Sequence, residues 1–464
     1  MNFRSSVWVP PDIPKYKTTM VKEIPVSTSE QWKKWIRQCY FNLFGLKSEQ
    51  VIIDFLTDSG TNAMSDKQWS SMFLGDESYA GSSSFKKLKE TVEQLTGFPY
   101  LIPAHQGRAA EKLLFPLIIH PGDLIPTNLL FDTTAGHIYL SGGKAIDCIT
   151  EEASNISSLY PFKGNLDINK LKEALEKNSE KIPCIVVTIT CNSAGGQPVS
   201  MENLREVYAI SKKYGKSVIF DSARFAENAY FIQKREEGYA ERSIKKIVYE
   251  MFQYTDIMTM SAKKDASVNI GGFIALRDEV LYKKLLPQTI IYEGFYEYGG
   301  MAGRDMEAIA QGLMENTNTD PYLGDRIKQV QYLGNLLTCA GIPIQQPPGG
   351  HAIYINGKDF FYHIPREQFP AQTLAIELYK LAGVRGAEIG NLVQDRKSDG
   401  SYTFPLFDWL RLAIPRRVYG QEHIEYVASA LIHLFQNRET ISTGYRIIEE
   451  EHCMRHFTVK LEKV

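Results

Sequence analysis

The sequence predicts an α/β protein, with a large domain built on a mostly parallel central sheet and a smaller α+β domain. Three observations carry that expectation. A buried-type strand over residues 182–190 is followed by a helix with Leu204, Val207 and Tyr208 at i, i+3 and i+4. A short apolar run over 217–220 then ends in Asp221. Strand, helix, strand in this rhythm is a βαβ unit with a right-handed crossover. At 464 residues the chain is too long for one ordinary core, and its pattern changes near residue 321. The expected division is an amino-terminal arm with part of the small domain over 1–56, the large domain over 57–320 and the small domain over 321–464.

Composition narrows the class. Hydrophobic residues make up 44% and charged residues 23%, as in ordinary globular proteins. The 52 Lys+Arg and 54 Asp+Glu give a formal net charge of -2, so there is no electrostatic case for nucleic acid or an anionic membrane as partner. No apolar run approaches the roughly 20 residues that span a bilayer. Residues 1–12 lack the charged-then-apolar pattern of a secretion signal. The six cysteines are scattered without a C-x-x-C pair, which suits a reducing cytoplasm better than a disulfide framework.

The elements follow in order. Pro10, Pro11, Pro14 and Pro25 forbid a long early helix. Ser27-Thr28-Ser29-Glu30 opens one whose Trp32, Trp35, Ile36 and Cys39 pack as core or interface. The apolar run 51–56 leads into Thr57-Asp58-Ser59-Gly60-Thr61-Asn62, a turn whose hydroxyl and amide groups also suit a small anionic ligand. The polar loop 75–82 carries Tyr79, either a packed surface ring or a phenolic acid. His105-Gln106-Gly107-Arg108 follows a strand and opens a helix striped by Leu113, Leu114, Leu117 and Ile118. A helix start with Gly and Arg is a ready phosphate site. Gly215-Lys216-Ser217 is like the end of a P-loop, but position 210 is Ile where the first Gly is required.

Beyond residue 321 come a helix over 325–337, the loop 345–351, alternating apolar residues, another helix and Gly383-Val384-Arg385. Arg411 interrupts the apolar run 410–414. A buried arginine is costly unless it is paired or binds an anion, so Arg411 reads as a carboxylate binder or a structural ion pair. His452 and His456 stand four apart, but no glutamate follows the first and no third ligand is evident, so no zinc-type site is expected.

Met260-Ser261-Ala262-Lys263-Lys264-Asp265 lies between two apolar runs and reads as strand, tight turn, strand. Its lysines are either solvated turn residues or are held near apolar surface, where burial disfavours the charged form. A deprotonated lysine is what Schiff-base chemistry with a carbonyl cofactor needs. Asp221 is either the cap of the next helix or the carboxylate that pyridoxal phosphate enzymes place beside the pyridine nitrogen. Taken together, the lysine turn and Asp221, with Arg224 three residues on, favour a pyridoxal phosphate enzyme.

Longer motifs carry a resemblance. Residues 56–65 (Leu-Thr-Asp-Ser-Gly-Thr-Asn-Ala-Met-Ser), 75–81, 105–108, 192–200, 221–232 and 261–265 are similar to the pyridoxal phosphate-dependent β-eliminating lyases, the family of tryptophan- and tyrosine-cleaving enzymes. The likeness runs from about residue 51 to the carboxyl terminus, and the arm matches poorly. It implies an aspartate aminotransferase-like, fold type I architecture and a cytoplasmic homotetramer. It also implies that Lys264 forms the internal aldimine and moves the α-proton, and that Asp221 pairs with the pyridinium nitrogen. Arg224 and Asn192 would lie near the ring hydroxyl. Gln106, Gly107, Arg108 and Ser261 would hold the phosphate, and Phe131 would stack on the ring. Arg411, with Asn192, Ser59 and Thr57, would hold the substrate carboxylate. Tyr79 would be the acid near the leaving group, reaching a neighbouring subunit's site. A K+ ion would lie at Gly60, Glu77 and Asn269.

Three positions bear on the substrate. The resemblance implies threonine after the stacking phenylalanine, an arginine near the phenol hydroxyl and a further phenylalanine in tyrosine-cleaving members. Here those positions are Asp132, Ile389 and His456. An indole N–H is a donor and wants an acceptor, which a carboxylate or a neutral imidazole provides. The expectation is therefore β-elimination of L-tryptophan to indole, pyruvate and ammonia through a quinonoid intermediate. Tyrosine or S-alkylcysteine cleavage, or a non-catalytic scaffold of the same fold, are the alternatives.

Overall fold

Three apolar runs of five residues, Cys184–Thr188, Ser217–Asp221 and Ile257–Ser261, are buried at almost every position. Runs buried on both faces belong in a parallel sheet covered by helices on either side. The computed structural model, which describes residues 14–318, 322–394, 396, 399–451 and 454–464, shows that arrangement. His452 and Cys453 lie outside the described residues.

The large sheet has seven strands: β1 (Tyr100–Ala104), β2 (Leu124–Thr127), β3 (Lys144–Asp147), β4 (Cys184–Thr188), β5 (Ser217–Asp221), β6 (Ile257–Ser261) and β7 (Gly272–Leu276). Their order is β3-β2-β4-β5-β6-β7-β1. Neighbours run parallel except at β7, which is antiparallel to both β6 and β1. Alternate residues feed opposite faces. Ile185, Val187, Val218 and Phe220 join one hydrophobic cluster, while Val186 and Ile219 join the other.

Helix α1 (Ser29–Gln38) starts where the sequence indicates, with Thr28 as a capping box against Gln31. Helix α2 (Gly107–Ile118) packs on the sheet through Ala110, Leu113 and Leu114. The short helix α3 (Asp132–Leu140) follows β2, and α4 (Met201–Lys213) makes the expected crossover from β4 to β5. Gly215 ends that crossover in the left-handed conformation, a turn and not a phosphate loop. Helix α5 (Phe225–Arg235) follows β5, with Arg224 at its cap position; Asp221 is not the cap.

The second unit holds an antiparallel sheet, β9 (Ala387–Ile389), β10 (Trp409–Ala413) and β8 (Ala352–Asn356) in that order. Its core also takes Trp32, Ile36, Val51, Ile53 and Phe55 from the start of the chain. The run 51–56 supplies only a two-residue strand, Ile53–Asp54, paired in parallel with Val384–Arg385. Helix α6 (Leu323–Cys339) serves both cores: Leu323 and Ile327 pack with the large sheet, Val330, Leu333 and Leu337 with the second unit. No described helix is long and apolar enough to cross a membrane.

Buried charge joins the two units. Arg416 donates to Asp58 at 3.1 Å, to Glu227 at 2.6 Å and to Asp265 at 2.7 Å. Arg224 donates to Asp58 at 2.6 Å, and Arg326 lies 3.6 Å from both Asp58 and Glu227. Removing one member of such a group leaves its partners charged and dry, a cost of about 3–5 kcal/mol. Arg416→Met should therefore lower the urea midpoint by an amount worth about 3–5 kcal/mol with little change in slope. A loss below about 1 kcal/mol, the scale of a surface pair, would contradict this reading.

Candidate active site

Ligands in open α/β sheets sit outside the carboxyl ends of the strands. Here Thr188 and Asp221 end β4 and β5 and are register partners, and Thr259 in the middle of β6 is the register partner of Asp221. All three line one cleft. The turn between β6 and β7 brings in Lys264, and the middle of β10 brings in Arg411. Of the residues singled out in the sequence, Thr57, Ser59, Gln106, Gly107, Arg108 and Phe131 line the same cleft, as do Asn192, Arg224 and Ser261.

Of the two adjacent lysines, Lys264 is the deeper. It is partly buried, its Nζ donates to Ser261 Oγ at 2.8 Å, and burial pushes its amine down to about 8. Lys263 is half-buried and is also lowered, by burial and by the Arg108 charge. Burial raises the Asp221 carboxyl, and Lys264 is the largest opposing influence. Such a carboxylate gains from an added positive charge.

Polar atoms without partners mark what the cleft lacks. Asn192 Oδ1 accepts from Tyr354 Oη at 2.7 Å and from Arg411 Nη1 at 3.1 Å, and His351 Nε2 lies 3.1 Å away. That leaves Asn192 Nδ2 buried and unbonded, along with Arg411 Nε and Thr190 Oγ1. Among the described residues Arg411 otherwise donates only to Leu56 O, at 3.1 Å. No described carboxylate forms an ion pair with Arg411. Buried donors left in this state cost about 1–3 kcal/mol each unless a ligand meets them.

The amino terminus of α2 opens onto the same space. Gln106 makes no side-chain cap. A Cβ on Gly107 would come within 2.7 Å of Ser261 Cβ, so only glycine lets the helix end approach β6. An uncapped helix start beside an arginine and a serine suits a phosphate. Together the donor set fits pyridoxal phosphate: a buried amine of lowered pKa, a strand-end carboxylate, a phosphate cradle and a free carboxylate binder.

Other expected residues lie elsewhere. Arg224 lines the cleft, but its guanidinium is taken up by Asp58 through bonds of 2.6 and 3.3 Å. Tyr79 is 66% exposed and stacks on Phe295 at 5.2 Å, outside the cleft of its own chain. Asp132 sits between the lining residues Phe131 and Thr133, and its carboxylate is 3.6 Å from buried His456 Nε2. Ile389 ends β9. Asn269 Nδ2 donates to Gly60 O at 3.0 Å, while Glu77 lies exposed in the Tyr79 loop. Glu111, Thr133, Thr188 and Thr190 also line the cleft. Their residue types carry no distinctive pattern, although Glu111 stands one helical turn after Gly107.

The amine of Lys264 has a testable titration. Burial disfavours its charged form, so it is protonated below about pH 8 and free above it. The rate at which cofactor-free protein captures pyridoxal phosphate should rise with pH through a midpoint near 8. A midpoint near the ordinary lysine value of about 10.4 would contradict the burial.

Residues 54–430 match the β-eliminating lyase family. A protein of Trichomonas vaginalis described as a probable β-eliminating lyase is 55% identical over 97% of this chain and 98% of its own. A tyrosine phenol-lyase of Symbiobacterium thermophilum is 48% identical over 97% and 98% of the two chains. A tryptophanase of Salinibacter ruber is 46% identical over 97% and 95%. Among solved structures, a threonine aldolase of Leishmania major superposes with a TM-score of 0.56 at 16% identity, covering 82% of this chain and 99% of that one. The fold, a mostly parallel central sheet with a smaller second unit, is that of fold type I pyridoxal phosphate enzymes. Strand order, cleft chemistry and sequence agree, and the chain belongs to the β-eliminating lyase family.

Proposed function

We propose that the chain cleaves L-tryptophan by β-elimination, giving indole, pyruvate and ammonia with the uptake of one water. The observation that carries the choice is the Asp132–His456 pair, 3.6 Å apart, with Asp132 between the cleft-lining residues Phe131 and Thr133. It offers an acceptor for an indole N–H, and Ile389 offers no guanidinium for a phenol hydroxyl. Likeness to a tyrosine phenol-lyase at 48% identity favours phenol release as the second reading.

When bound, pyridoxal phosphate supplies the electron-accepting ring that β-elimination from an amino acid requires. Gln106, Gly107, Arg108 and Ser261 would hold its phosphate, Phe131 would hold its ring and Asp221 would hold its ring nitrogen in the protonated form. Asn192 and Arg224 would serve its ring hydroxyl. Arg411 grips the substrate carboxylate, helped by Asn192 Nδ2, Ser59 and Thr57. The uncharged Lys264 amine takes the proton from the α-carbon. Asp132 and His456 orient the indole, and Tyr79 of a neighbouring subunit protonates it as it leaves.

The reading extends to assembly. Phe73 and Leu74, 90% and 70% exposed in the segment leading to the Tyr79 loop, support a contact between copies, and the family resemblance makes that assembly a homotetramer. The free Cys39, Cys148, Cys184, Cys191 and Cys339 support the cytoplasm. The resemblance also carries a K+ site at Gly60, Glu77 and Asn269, of which Gly60 and Asn269 are neighbours in the fold. The unshared parts of the two cores support a division into residues 1–56 with 321–464, and 57–320.

Purified protein with pyridoxal phosphate and K+ should release indole from tryptophan and no phenol from tyrosine. Phenol release would overturn the roles of Asp132, Ile389 and His456. Pyruvate from S-methylcysteine alone would keep the elimination and overturn the aromatic substrate. A colourless protein would overturn catalysis itself.

A further inference from the structure

Helix α3 is loosely anchored. Its buried residues are Thr134 and Ile138, and its cap residue Phe131 has no side chain able to bond the helix start. Apolar packing therefore does little to fix the rotation of its first turn. Yet that turn carries Asp132, whose Oδ1 accepts from Thr133 N at 2.6 Å and whose Oδ2 faces His456.

Glu111 supplies what the packing lacks. It projects from α2, one turn after Gly107, is 6% exposed and lines the cleft. One carboxyl oxygen accepts from Thr133 Oγ1 at 2.9 Å, and the other accepts from Thr134 Oγ1. A carboxylate at a helix amino terminus is favoured by the helix dipole, and here it comes from another helix. Burial and the Asp221 charge push the Glu111 carboxyl up to about 7, while the two hydroxyls pull it down.

We propose that Glu111 is a positioning residue for substrate choice: through Thr133 and Thr134 it fixes the first turn of α3, and so holds the Asp132 carboxylate against the ring of an aromatic substrate. This rests on the reading of Asp132 given above. A substrate without a ring, such as S-methylcysteine, has no use for that carboxylate. Loss of the clamp should therefore fall on aromatic substrates more than on S-methylcysteine. An effect of the Glu111 charge on Asp221 would fall on both alike.

The test compares kcat/KM for tryptophan with kcat/KM for S-methylcysteine in Glu111→Ala, Glu111→Gln and Thr133→Val holoenzymes. The ratio should fall by about 10- to 100-fold in Glu111→Ala and in Thr133→Val, the scale of a misplaced contact. It should stay near the wild-type value in Glu111→Gln, whose amide still meets both hydroxyls. Titration of cofactor absorbance with L-phenylalanine and with L-alanine, neither of which carries a group that leaves by this elimination, should show the same shift. An unchanged ratio in both clamp-breaking variants, or a Gln variant as impaired as the Ala variant, would overturn the proposal. If Glu111→Ala fails to fold, Thr133→Val and Glu111→Gln decide the matter. Should the wild-type enzyme prefer tyrosine, the tryptophan reading fails there, and the tyrosine ratio tests the clamp in the same variants.

Discussion

A buried guanidinium is stable only when anions or carbonyls meet its donors, and this protein treats its buried arginines in two opposite ways. Arg416 is met by three carboxylates, from Asp58, Glu227 and Asp265. Arg411, equally buried, is met by an amide oxygen and a backbone carbonyl, with its Nε unbonded. The first arrangement holds the two units of the fold together. The second leaves a cation turned toward a cleft, which is what recognition of an amino-acid carboxylate asks for.

The same division of labour runs through the rest of the cleft. The sheet places Thr188, Asp221 and Thr259 in register, and the glycine at 107 lets a helix start press against Ser261. Those contacts are backbone geometry, set by strand pairing and by the absence of a Cβ. The second unit adds Arg411 and, through Tyr354 and His351, the orientation of the Asn192 amide. No single unit holds the whole cleft. Helix α6, with its first turns in one core and its later turns in the other, keeps the two halves in fixed relation.

Much of this was legible in the sequence, because strand ends and tight turns leave local marks. The βαβ rhythm around residues 182–221, the helix start at Gly107 and the apolar runs flanking Lys264 are patterns of neighbours, and each appears where those patterns indicate. The family was legible from long motifs such as 192–200 and 221–232. What was not legible depends on contacts far apart in the chain. The apolar run 51–56 reads as a strand but mostly packs its side chains, because among the described residues its strand pairing is limited to the two-residue Val384–Arg385. The cluster around Arg416 joins residues from 58 to 416, and nothing local marks Arg416 as paired and Arg411 as free. Glu111 is one acidic residue on an ordinary helix until the fold brings Thr133 and Thr134 to it.

The central claim is that Arg411 is held for a ligand and not for the fold. The most direct measurement is made on Arg411→Met, comparing its urea unfolding with its affinity for L-alanine read from the cofactor's absorbance. The account predicts stability within about 1 kcal/mol of wild type, since no buried carboxylate is left unpaired, together with a loss of about 2–5 kcal/mol in amino-acid binding. A variant that lost several kcal/mol of stability, yet bound L-alanine as before, would show that Arg411 serves the fold and would contradict the account.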